Sequence, residues 1–118
     1  MKDWMMLVGV VQGIYFLVTG IWPILHIRSF QAVTGPKTDR WLVKTVGALV
    51  AVIGAVLLQA SWRGQLTTQL VCLAIACAAA LALVDINYAL RRVISKIYLL
   101  DAIVQIILIA GWIITWVW

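Results

Sequence analysis

The sequence predicts an all-α protein, a four-helix antiparallel transmembrane bundle formed as a single integral membrane domain over residues 1–118. Three observations carry this. The chain is 65% hydrophobic and only 11% charged, with a mean hydropathy of +1.09, whereas a soluble domain carries about 25% charged residues. Its apolar residues fall into four runs, each near the roughly 20 residues that a helix needs to cross the hydrocarbon core. Runs such as VCLAIACAAALALV show none of the two-residue alternation of a barrel strand.

The first span runs from about 4 to 25. Gly9, Gly13 and Gly20, spaced by four and seven, allow close approach of another helix. Gln12, Tyr15, Thr19 and Trp22 recur every three or four residues and so share a face, expected to point into the bundle, because an unpaired amide facing lipid costs several kcal/mol. Pro23 removes one backbone donor and loosens the last turn. With Asp3 directly after Lys2, a long apolar run and no small-x-small site, this segment is expected to remain as a helix and does not read as a cleaved leader.

The stretch 26–47, HIRSFQAVTGPKTDRWLVKTVG, is the long polar interruption of the chain. Ser29 is expected to cap a short interfacial turn, Gly35 and Pro36 to end it, and Thr38 or Asp39 to cap the second span, over about 40 to 60. Gly47 or Ala48, Ala51, and Gly54 or Ala55 form a small-residue packing stripe there. A short turn around Arg63 and Gly64 leads to the third span, about 69 to 90, and RRVISK leads to the fourth, about 97 to 118. Cys72 and Cys77, five apart in the third span, lie on different faces and read as small buried packing residues.

Orientation follows from the basic residues. Arg28, Lys37, Arg40, Lys44, Arg91, Arg92 and Lys96 gather at one face, against Lys2 and Arg63 at the other. The positive-inside rule then puts the first and third connections in the cytoplasm and both termini on the non-cytoplasmic side. Trp4, Trp62, Trp112, Trp116 and Trp118 would mark the outer interface, and Trp22 and Trp41 the inner one. The net charge of +5 is thus a topological signal, and no nucleic-acid partner is expected. The partners expected are the bilayer, anionic lipid headgroups, and either a second copy, a dimer being favoured, or a larger membrane complex; the oligomer follows if the small-residue stripes cannot all be satisfied within one chain.

Under this topology Lys44, Asp85 and Asp101 lie about one turn inside the cytoplasmic boundary on three different helices. Asn87, Tyr88, Tyr98 and His26 lie at the same level, with Gln105 one turn deeper. Ionisable groups at such depth usually face a bundle interior or water, which makes a ligand-binding pocket the functional reading. The structural reading is a clamp in which Lys44 neutralises Asp85 or Asp101. Two neighbouring carboxylates also invite acid/base chemistry, though no spacing motif joins them. Arg28, Lys37, Arg91 and Arg92 are candidates for headgroup or phosphate contact, and TGPKTDR has a loose likeness to a phosphate cradle without the Walker spacing.

His26 is the one histidine, and no Cys, Asp or Glu cluster has ligand spacing around it; this argues against zinc, haem and a catalytic triad. Glutamate is absent, which excludes Glu-based di-metal sites. No cofactor, metal or catalytic residue is assigned.

At FQAVTGPKTDRWLVKTVG, residues 30–47, the chain resembles small uncharacterised bacterial membrane proteins of four predicted helices whose first connection has a similar VTGPK and WLVKTVG run. It is also similar to DoxX-type four-helix membrane proteins in size and topology. These resemblances imply a stand-alone protein of the bacterial inner membrane and transfer no residue roles. Three functions are weighed: binding or transport of a small polar or amphipathic ligand, an accessory subunit of a larger membrane complex, and a lipid-active enzyme.

Overall fold

Each apolar run becomes one continuous helix. A computed structural model describes residues 3–36 and 38–117, and among them the chain is helical without strands: α1 (Asp3–Leu25), α2 (Ile27–Thr34), α3 (Arg40–Trp62), α4 (Thr68–Leu90) and α5 (Tyr98–Val117). The four longer helices are long and apolar enough to cross a membrane. Their outward faces are apolar, with Leu7, Val11, Ile14 and Val18 exposed on α1 and Leu49, Val52 and Val56 on α3. Buried positions, by contrast, include Gln12, Asp85 and Gln105. A soluble fold segregates the other way, so lipid is the solvent this surface suits.

The short helix α2 replaces the turn expected there. Its N-cap is His26, whose Nδ1 accepts a hydrogen bond from the Ser29 backbone N–H at 3.2 Å, while the Ser29 hydroxyl donates to the His26 carbonyl at 3.0 Å. Ser29 is therefore a first-turn residue and not the cap. Docking holds the helix against α1: Trp22 Nε1 donates to Ser29 Oγ at 2.8 Å, and the Trp22 and Phe30 rings meet edge-on at 5.4 Å. Gly35 ends α2 at φ +102°, a conformation costly for a residue with a Cβ. Asp39 occupies the α3 N-cap through its backbone carbonyl and makes no side-chain cap bond.

α1 and α3 form the tightest pair because glycine lets their backbones touch. A Cβ on Gly13 would lie 2.8 Å from the Leu58 backbone nitrogen and 2.9 Å from the Gly54 carbonyl oxygen; one on Gly54 would lie 2.6 Å from the Leu17 nitrogen. Close packing of this kind substitutes for the hydrophobic driving force that lipid removes. α4 and α5 form the second pair. α4 buries Val71, Ala74, Ala78, Ala82, Asp85 and Ala89, and α5 buries Ala102, Gln105, Leu108 and Trp112, each set at spacings of three and four. The glycine stripes of α1 and α3 thus meet each other and the α4 alanines face inward, so these stripes do not require a second copy.

The two pairs join at one end. Met5 of α1, Leu57 of α3, Leu66 of the connection before α4, Val71 and Ala74 of α4 and Trp112 of α5 make one core cluster. Trp112 is fully buried, which corrects its expected place in the outer aromatic belt: its indole N–H has a polar partner inside, Gln12, and so gains nothing from the interface. Trp4, Trp41, Trp62 and Trp116 are exposed as expected; Lys2 and Trp118 lie outside the described residues. At the opposite end, beside α2, the pairs are separated by a cavity.

Candidate functional site

The polar face of α1 supplies one wall. Spacings of three and four bring Gln12, Tyr15, Thr19 and Trp22 to one side of the helix. Gln12 belongs to the core end, where its Nε2 donates to the Ala74 carbonyl at 3.0 Å and its Oε1 accepts from Trp112 Nε1 at 2.6 Å. Tyr15, Thr19 and Trp22 line the cavity.

The opposite wall carries the acids. Asp85 continues the buried stripe of α4, and Asp101 and Gln105 lie four apart in the first turns of α5. The Tyr15 hydroxyl donates to Asp101 Oδ1, and Gln105 Nε2 donates to the same oxygen at 3.2 Å. Asp85 and Asp101 come within hydrogen-bonding reach of each other. The Tyr98 hydroxyl is in hydrogen-bond reach of Thr34, which ties α5 to α2.

The cavity between these walls measures about 320 Å³. α1, α2, α4 and α5 provide most of its lining and Val50 is the α3 contribution. Two residues of the lining each carry a buried acceptor, Asp85 Oδ2 and Gln105 Oε1, with no hydrogen-bond partner in the protein. Leaving a buried acceptor unpaired costs about 1–3 kcal/mol, so orphaned groups of this kind call for a partner.

Of the pocket residues expected from sequence, Asp85, Tyr98, Asp101 and Gln105 line the cavity and Lys44, Asn87 and Tyr88 do not. Lys44 is exposed on α3, which packs chiefly on α1 and little on α4 or α5; sharing a depth with the acids does not give it a shared interface. Asn87 follows Asp85 by two residues, about 200° around the helix, and is exposed; Tyr88 is 40% exposed. His26 caps α2 instead of joining the acids. The aromatic lining was missed: Tyr15 and Trp22 were legible as a face of α1, but their apposition to the acids was not, and Phe30 depends on α2 being a helix.

The basic residues lie elsewhere. Arg28 and Arg91 are exposed, and Arg92, at φ +61°, lines a second cleft with Thr34, Gly35, Pro36 and Ser95. Lys37 lies outside the described residues. Cys72 and Cys77 are free thiols; Cys72 is exposed and Cys77 partly buried, which corrects the expectation of two buried packing residues, and among the described residues no group of three or more His, Cys, Asp or Glu side chains could hold a metal ion.

Compared with known protein families, curated proteins and solved structures, the chain matches none.

Proposed function

We propose that this chain is a multi-pass protein of the bacterial inner membrane that binds or carries a small polar or amphipathic ligand in the cavity between its two helix pairs. The observation that carries the reading is the coincidence of a cavity of about 320 Å³ with two buried, unpartnered acceptors, Asp85 Oδ2 and Gln105 Oε1. Small-molecule sites are mostly apolar hollows with a few convergent polar groups, and this lining has that character. In this reading the four spans alternate in direction as an antiparallel bundle, with both termini outside. The concentration of basic residues in the first and third connections supports that orientation and, with it, a cavity near the cytoplasmic face. The resemblance to DoxX-type proteins in size and span number belongs to the same proposal.

The accessory-subunit reading needs small-residue faces free for a partner. Its support is weakened by the mutual engagement of the α1 and α3 glycines. Purification in native lipid, followed by mass spectrometry, separates the two. Ligand binding predicts a small molecule that co-purifies with the wild type and is lost when Asp85→Asn is combined with Asp101→Asn. Recovery of a stoichiometric partner chain and no small molecule would replace this reading with the accessory one.

A further inference from the structure

We infer that the cavity takes an amphipathic organic cation: a protonated amine whose ammonium group is held by Asp85 and Gln105 and whose short apolar body lies against the aromatic and aliphatic walls. This rests on the reading of the cavity as a ligand site and narrows it to one chemical class. The unpartnered atoms set the polarity of the ligand. Asp85 Oδ2 and Gln105 Oε1 are both acceptors, and their residues are 5% and 1% exposed; a ligand satisfies them only by bringing donors. A carboxylate or phosphate head would instead add a third and fourth acceptor beside two aspartates.

The lining also sets the charge. Among the described residues it contains two aspartates and no Lys, Arg or His, because Lys44 and the arginines stay outside. An anion therefore meets no counter-charge, whereas a cation meets the carboxyl group of Asp85, a residue 5% exposed, where attraction is screened less than at an open surface. Five aromatic side chains, Tyr15, Phe16, Trp22, Phe30 and Tyr98, stand around the same space. Their ring faces attract a cation within about 6 Å, and their area shelters an alkyl chain. The cavity is at the small end of the range for ligand sites, roughly 300–1,000 Å³, so the apolar body is short.

Three probes with the same eight-carbon chain test the head group: radiolabelled octylamine, octanol and octanoate. Each is equilibrated near neutral pH with the full chain in zwitterionic phosphatidylcholine nanodiscs, and protein-free nanodiscs supply the background. The expected result is saturable octylamine binding at least about tenfold tighter than octanol, no saturable octanoate binding, and a loss of about tenfold or more in octylamine affinity for Asp85→Asn. Val104→Phe, which takes up cavity space while keeping both aspartates, is expected to weaken octylamine as well. Saturable octanol or octanoate binding as tight as that of octylamine would overturn the cation assignment while leaving a ligand site in place. No saturable binding of any of the three would count against both the cation and the ligand-site reading. The comparison of probes uses the wild type alone, so it stands even if a variant fails to fold.

Discussion

Trp112 of α5 donates its indole hydrogen to Gln12 of α1 at 2.6 Å, and Gln12 in turn donates to the Ala74 carbonyl of α4 at 3.0 Å, so one amide links three helices at a site with no exposed surface. Hydrogen bonds between membrane helices average about 0.6 kcal/mol because the separated helices also find partners. Here two bonds are lost together and an indole N–H is left buried. Gln12→Leu is expected to lower stability by about 1–2 kcal/mol, read by unfolding in mixed detergent micelles. Trp112→Phe in the same background should cost less than it does in the wild type, because the two changes remove a shared bond. Additive losses would show that the bond is not coupled.

The α1/α3 contact predicts a sharp contrast between two small residues of α3, Gly54 and Ala48. Gly54 meets the Leu17 backbone, whereas Ala48 is exposed. Gly54→Val forces the backbones apart, and its overpacking is expected to cost at least about 1–3 kcal/mol. Ala48→Val is expected to stay within about 0.5 kcal/mol of wild type. Thermal aggregation followed in detergent distinguishes them. Equal tolerance of both would mean that the pair does not pack through this stripe.

The charges near the α2 end of the helices divide into two groups that should behave differently. Lys44→Ala removes an exposed cation outside the cavity and is expected to leave octylamine affinity within about twofold of wild type, with stability within about 0.5 kcal/mol. Asp85→Asn should weaken the same binding about tenfold or more. A strong effect of Lys44→Ala on binding, measured in the same nanodiscs, would restore Lys44 to the site.

Orientation is checked with single cysteines in a background carrying Cys72→Ala and Cys77→Ala. Thr38→Cys lies in the connection rich in basic residues and is expected to resist a membrane-impermeant maleimide applied outside intact cells. Gln65→Cys, in the connection between α3 and α4, should react. The reverse pattern would invert the topology.

Several features of the fold were legible without any neighbour. The four spans begin and end within about two residues of the positions expected, and the inward stripe of Gly47, Ala51 and Gly54 is buried as its spacing predicts. α2 was not legible as a helix, because its eight mixed residues form no apolar run and it is held by docking, through the Trp22 contacts with Ser29 and Phe30. The site was half legible: Asp85, Tyr98, Asp101 and Gln105 line the cavity, and Lys44, Asn87 and Tyr88 do not.

That division has one physical cause. Whether a run of about 20 residues suits lipid is a property of the run alone, a sum of local solvation free energies, so the sequence by itself determined the number of long apolar helices, their bounds and the position of each polar residue along its helix. Position along a helix carries no information about azimuth between helices. Only the tertiary structure decided that α3 packs on α1, leaving Lys44 outside, that Trp112 turns inward to Gln12, and that Tyr15 meets Asp101 across the cavity. Those outcomes depend on which backbones approach most closely, and that was settled by contacts between glycines far apart in the chain.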